Sequence, residues 1–98
     1  MCDDLDVQLG RRLRRRRQLL GMTQIELAGR CGIRFQQIQK YESASNKMSA
    51  GMIGRLATAL GVEVGYFFEG LDALLAVRAA PKASQRPTRS AASWDLAV

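Results

Sequence analysis

The residues best equipped for chemistry run from Ile33 to Glu42: Ile-Arg-Phe-Gln-Gln-Ile-Gln-Lys-Tyr-Glu. At helical spacing Ile33, Ile38 and Tyr41 form an apolar underside together with Leu27. The outer face is left with Arg34, Phe35, Gln36, Gln37, Gln39 and Lys40. A face built only for solubility mixes Glu with Lys. Glutamine instead matches the donor and acceptor of adenine, Arg and Lys match guanine, and an apolar ring meets the thymine methyl. This is the chemistry of reading base-pair edges in double-stranded DNA. It works only if the segment is a rigid helix held at a fixed angle to its carrier.

Little else in the chain offers a reaction. Among its 98 residues there is no histidine, which removes His-based acid–base catalysis, triads and His-containing zinc sites. Cys2 and Cys31 form no CxxC pair, so a zinc ribbon or thioredoxin-type motif is also excluded. No nucleophile–base pair, metal set or phosphate-cradling loop is present; no catalytic residue, metal or cofactor is expected, and an enzyme is the weakest functional class. No apolar run approaches the roughly 20 residues that span a bilayer, and the acidic Met-Cys-Asp-Asp start is unlike a signal peptide. With 47% hydrophobic and 24% charged residues, the composition is that of a soluble globular protein, expected in the cytoplasm. The length suits one small domain and a tail.

Charge is distributed unevenly. Fifteen Lys and Arg against nine Asp and Glu give a net +6. Eleven of those cations but only Glu26 and Glu42 lie between Arg11 and Arg55, a local excess of nine, whereas the rest of the chain is net acidic. Concentrated positive charge favours a polyanion, because each neutralised phosphate releases condensed counterions.

Turn punctuation at Gly21, Gly32, Ser43–Lys47, Gly61 and Gly70 cuts the first seventy residues into short helical pieces, with no strand signal. Helices are expected at 6–20, 24–31, 34–42, 50–60 and 64–70. Leu9, Leu13 and Leu20 form an apolar stripe on the first, and Ile53, Leu56, Ala57 and Leu60 follow the same rule on the fourth. Thr23 with Glu26 is a capping box, and Ser49 is a second N-cap. Ala28 is small where two helices must cross closely, and Gly32 permits the positive φ that ends the second helix. The pair 24–31 and 34–42 is therefore a helix-turn-helix within a compact all-α, five-helix domain over 7–71. After Leu71 a tail, 72–98, could carry a short helix to about residue 80. From Pro81 it is rich in Ala, Ser, Arg and Thr, with Trp94 its one large apolar side chain.

From about Val7 to Leu71 the chain resembles a Cro/C1-type (XRE-family) helix-turn-helix domain of the lambda-repressor-like fold. The match is carried by Leu9-Gly-Arg-Arg-Leu-Arg, Gly21-Met-Thr-Gln-Ile-Glu-Leu-Ala, Cys31-Gly-Ile-Arg-Phe-Gln-Gln-Ile-Gln-Lys-Tyr-Glu and Leu56-Ala-Thr-Ala-Leu-Gly-Val. The closing Tyr-Phe-Phe-Glu-Gly-Leu resembles the family's fifth helix. The resemblance implies that Arg34, Phe35, Gln36 and Lys40 meet bases. It implies phosphate contacts from Gln24, Gln37, Asn46, Lys47 and Met48, and an ion pair between Arg17 and Glu42. Three departures stand out: Ala44 replaces a glycine common in the family, Phe35 stands at a base-facing position more often polar and could instead pack inward or against DNA sugar, and Gly51 and Gly54 weaken the fourth helix by about 1 kcal/mol each.

The run Arg11–Arg17 cannot follow one phosphate track. Arg11 and Arg15 point away from the leucine stripe, Arg14 lies between, and Arg16 and Arg17 flank it. Arg16 is expected to bury its stem and keep its head in water. Cys31 reads as a small core residue, with redox sensing as the alternative. Tyr66, Phe67, Phe68 and Leu71 read as core closure that could also contribute to a dimer seam. The resemblance thus implies a sequence-specific transcription regulator, a repressor more than an activator, binding a two-fold-symmetric operator as a homodimer in the nucleoid. The alternatives are an antitoxin or a protein-interaction module whose partner is met through residues 66–98.

Overall fold

The structure is a computed structural model and describes residues 3–76. Its elements are five α-helices, α1 (Asp4–Leu19), α2 (Gln24–Cys31), α3 (Phe35–Glu42), α4 (Ala50–Leu60) and α5 (Asp72–Leu75), with a 3-10 segment at Val64–Phe68. No strand occurs among the described residues.

Each boundary has a local cause. α1 begins at Asp4 rather than near residue 6, because Asp3 is an N-cap: its carboxylate accepts from the Asp6 N–H at 3.1 Å, and Asp6 accepts from the Asp3 N–H at 3.0 Å. That backbone hydrogen bond from Asp6 holds the Asp3 carboxyl below the usual range, with a smaller push from nearby Lys47. Acidic residues in the first turn and Arg16 and Arg17 in the last both suit the helix dipole. The Thr23–Glu26 box opens α2, the Ser49 hydroxyl opens α4 by accepting from the Met52 N–H at 3.0 Å, and Gly32 and Gly61 close α2 and α4 at positive φ. Residues 64–70 do not form the expected α-helix. No side chain caps that segment, Gly65 stands in its first turn, and it closes as a tight 3-10 coil before Gly70 at φ 75°. α5 ends at Leu75, buries nothing, and the proposed extension toward residue 80 falls outside the described residues, as does Trp94.

Leu13, Leu27, Ile38, Leu56, Leu60 and Phe67 are fully buried, so α1 to α4 and the 3-10 segment all insert a large side chain into one core. Each such burial stabilises by roughly 1.5–3 kcal/mol. The apolar stripe of α1 departs from the expected one. Leu20 caps the helix and is 43% exposed, and the buried face consists of Leu9, Gly10, Leu13 and Arg17.

Gly10 is where α1 meets the end of α3. A Cβ there would lie 2.4 Å from the Tyr41 carbonyl oxygen and 3.0 Å from that of Glu42. Only glycine lets the backbones come so close. Beyond α3, Ala44 adopts φ 61°, a left-handed conformation that costs an L-residue roughly 1–2 kcal/mol. The family's usual glycine is therefore missed here for conformational reasons.

Two substitutions should separate these effects in thermal melts. Gly10→Ala gains about 1 kcal/mol of helix propensity but overpacks α1 on α3, and we expect a net loss of about 2 kcal/mol or more. Ala44→Gly should raise the melting temperature, with a net gain of about 0.5–1 kcal/mol after the greater freedom of glycine in the unfolded chain.

Candidate nucleic-acid interface

α2 and α3 are joined by Gly32, Ile33 and Arg34. Gly32 sits at φ 71°, and the N–H groups of Gly32 and Ile33 both turn back to the Ala28 carbonyl, the latter at 3.1 Å. Leu27, Ala28, Ile38 and Tyr41 are buried beneath this pair, and Ile33 packs partly against them. On the opposite face Arg34, Phe35, Gln36, Gln39 and Lys40 are exposed, while Gln37 is half-buried. Arg34 lies just outside the helix, as its N-cap, and makes no side-chain capping bond. Phe35 is 36% exposed at the first helical position instead of joining the core.

The end of α3 is fixed by a buried ion pair. Arg17 Nε donates to Glu42 Oε2 at 2.6 Å and Arg17 Nη2 to Glu42 Oε1 at 3.0 Å, a bidentate fork. The remaining edge of the guanidinium donates from Nη1 to the Met22 carbonyl at 2.8 Å. Gln24 Nε2 donates to Glu42 Oε1 at 3.0 Å. The side chains are 11% and 5% exposed, and the hydrogen bonds to Glu42 raise the Arg17 pKa further against the opposing cost of burial. One network thus ties α1, the loop before α2, the first residue of α2 and the last residue of α3.

The loop after α3 folds back on that helix. Ser45 and Asn46 donate their N–H groups to the Lys40 carbonyl at 2.8 and 3.3 Å, and the hydroxyls of Ser43 and Ser45 are 2.9 Å apart. Asn46 and Lys47 are exposed, with Lys47 Nζ 3.4 Å from Asp6 Oδ2. Met48 is half-buried and its side chain packs against the core.

With this geometry in hand, similarity to known proteins is informative. A helix-turn-helix family profile matches residues 13–67. The chain belongs to the helix-turn-helix family of the Cro/C1 (XRE) type. An uncharacterized HTH-type transcriptional regulator, y4aM, of Sinorhizobium fredii is 43% identical over 67 residues, covering 68% of this chain and 47% of that protein. An uncharacterized transcriptional regulator in the ATPase CF(0) region of Rhodospirillum rubrum is 46% identical over 68 residues, 69% of this chain and 63% of that protein. The match to y4aM therefore spans about half of that relative's length. Among solved structures, the restriction-modification controller protein C.AhdI from Aeromonas hydrophila superposes with a TM-score of 0.63 at 33% identity, covering 64% of this chain and 96% of that one. The P22 c2 repressor in complex with a synthetic operator gives 0.59 at 26% identity, covering 63% and 94%.

The arginines of this helix-turn-helix domain divide into distinct groups. Arg17 is buried in the network just described. Arg16 is half-buried, and its head is more engaged than expected: its Nε donates to the Leu60 carbonyl at 3.1 Å, closing the C-terminus of α4. Arg12 Nη1 donates to the Tyr66 carbonyl at 3.1 Å, and the Tyr66 hydroxyl donates to the Arg12 carbonyl at 3.1 Å. Arg11, Arg14 and Arg15 are exposed. Sequence reasoning missed the roles of Arg12, Arg16, Gly10 and Asp6. A glycine inside an otherwise strong helix was the one visible signal. Cys31 is buried, and burial pushes its thiol up against a smaller opposing pull from Arg55, so the reactive thiolate is disfavoured.

Removing one partner of the Arg17–Glu42 pair should cost far more than removing both. We expect Glu42→Ala to destabilise by about 3 kcal/mol, because it strands a buried guanidinium, and an Arg17→Met, Glu42→Leu double variant to recover much of that loss. Chemical denaturation of Arg17→Met, Glu42→Leu and the double variant closes the cycle and reads the coupling directly.

Proposed function

We propose that this chain is a sequence-specific DNA-binding transcription regulator that seats α3 in the major groove. The observation that carries the reading is the outer face of α3, rich in Arg, Gln and Lys, fixed at its far end by the Arg17–Glu42–Gln24 network. A rigid rod with amide and cationic heads is what base-edge readout needs. Arg34 and Lys40 are assigned to guanine, Gln36 to adenine, and the exposed ring of Phe35 to a thymine methyl.

Gln24, Gln37, Asn46 and Lys47, with the backbone of Met48, are assigned to phosphates. The amide of Gln24 has two N–H groups. One holds Glu42, and the other is assigned to a phosphate at the start of α2. Lys47, exposed and 3.4 Å from Asp6, is assigned to the phosphate backbone as a mobile surface charge.

The working unit is proposed to be a dimer on a two-fold-symmetric operator, acting in the cytoplasm and repressing by occupying its site. Support comes from a relative of the same fold, the P22 c2 repressor, described in complex with an operator. Val64, Leu74 and Leu75, all exposed beyond α4, are the apolar surface we assign to the seam.

The test is selection of duplexes from a random pool, followed by gel shifts with variants. Gln36→Ala should change which site is preferred. Lys47→Ala should weaken every site alike, by roughly five- to tenfold, and reduce the salt slope by about one. Uniform, fully salt-reversible binding with no preferred site would overturn the reading.

A further inference from the structure

α1 has two working sides. Gly10 and Arg17 face α3. About 180° around the helix, at about 100° per residue, Arg11, Arg12, Arg15 and Arg16 line a groove of about 550 Å³ whose opposite wall is Tyr66 and Glu69. These arginines point away from the α3 surface, so a duplex lying along α3 does not explain them.

The groove is built, not merely charged. Arg12 is anchored on the Tyr66 carbonyl and Arg16 on the Leu60 carbonyl, both at 3.1 Å. The Tyr66 hydroxyl donates back to the Arg12 carbonyl, fixing the ring as a wall. A guanidinium has five N–H donors, so both anchored groups keep donors for a ligand at little further entropic cost. Arg11 and Arg15 complete the rim and are exposed.

The pairs Arg11–Arg15 and Arg12–Arg16 stand one helical turn apart, a spacing at which like charges destabilise a helix. An anion in the groove would relieve that repulsion. All four cations are Arg, whose planar fork suits phosphate oxygens in pairs. The volume lies within the range of small-ligand sites. Leu19, 68% exposed, gives the groove an apolar end, Gln8 adds an amide, and Glu69 sets a single carboxylate against the four guanidinia, so the lining keeps a clear positive excess.

We propose that this groove binds a nucleoside polyphosphate, the four guanidinia taking the phosphates and Tyr66 with Leu19 taking the base. The site does not depend on the reading of α3 and stays open when α3 is occupied.

The full chain, labelled at its arginines, is titrated by NMR with ATP, GTP, inorganic tripolyphosphate, a short duplex and a polyglutamate peptide. A nucleotide should bind with a dissociation constant of about 100 μM or tighter, shifting the Nε–H signals of Arg12 and Arg16 and the ring of Tyr66 but not Arg34. Arg11→Ala with Arg15→Ala should weaken it by about tenfold or more, while the melting temperature holds or rises. Tripolyphosphate binding as tightly as the nucleotides overturns the nucleoside assignment. The same groove signals moving more readily with duplex or polyglutamate overturn it in favour of a macromolecular polyanion. Uniform shifts at every exposed arginine, or none at millimolar nucleotide, overturn the site itself.

Discussion

Arg17 and Glu42 stand 25 residues apart in the chain and meet at 2.6 Å with both side chains nearly out of water. Taking two charges out of water is costly, and only a geometry that satisfies most of their hydrogen-bonding groups offsets it. Here a two-pronged fork, the Met22 carbonyl and the Gln24 amide supply those partners. Such a pair is weak evidence for stability but strong evidence for position, since small displacements of α3 would break several bonds at once. Gly10 adds the complementary constraint by letting α1 press directly on the last carbonyls of α3. α3 is therefore held through its C-terminal end, and its N-terminal face is left exposed.

The arginine-rich first helix follows the same logic. One guanidinium is buried to orient α3, two close carbonyls on α4 and the 3-10 segment, and three stay exposed. Composition alone suggests a single basic clamp. The helical period instead distributes these charges around the cylinder, so the face turned from α3 carries a cationic surface separate from that of α3.

Much of this was legible in the sequence, and the limits are physical. Capping signals are local, so the Thr23 box and Ser49 gave α2 and α4 their observed starts. The α2–turn–α3 unit was legible because small Ala28, Gly32 and the apolar underside each answer a local steric demand. The Asp3 cap is equally local, and the aspartates before residue 6 therefore start α1 earlier than its apolar spacing alone suggests. Residues 64–70 are dense in aromatics that must be buried, and burial says little about whether the backbone winds as α or 3-10. The partners of Arg12 and Arg16 lie 54 and 44 residues away, and no local pattern encodes such contacts. Helical spacing points Leu20 inward, but the helix ends one residue before it. Ala44 shows the converse: a missing family glycine was visible, and the left-handed turn it usually serves is retained at the cost of strain.

The central claim is that α3, clamped by Arg17 and Glu42, is the surface that reads DNA. The most direct measurement is an NMR titration of the full chain with its best selected duplex, following both side-chain amides and arginine signals. The account predicts slow-exchange shifts concentrated on Gln36, Arg34 and Lys40, with the Arg17 Nε–H remaining protected and unmoved. Perturbations confined to other faces, with the α3 side chains silent, would contradict it.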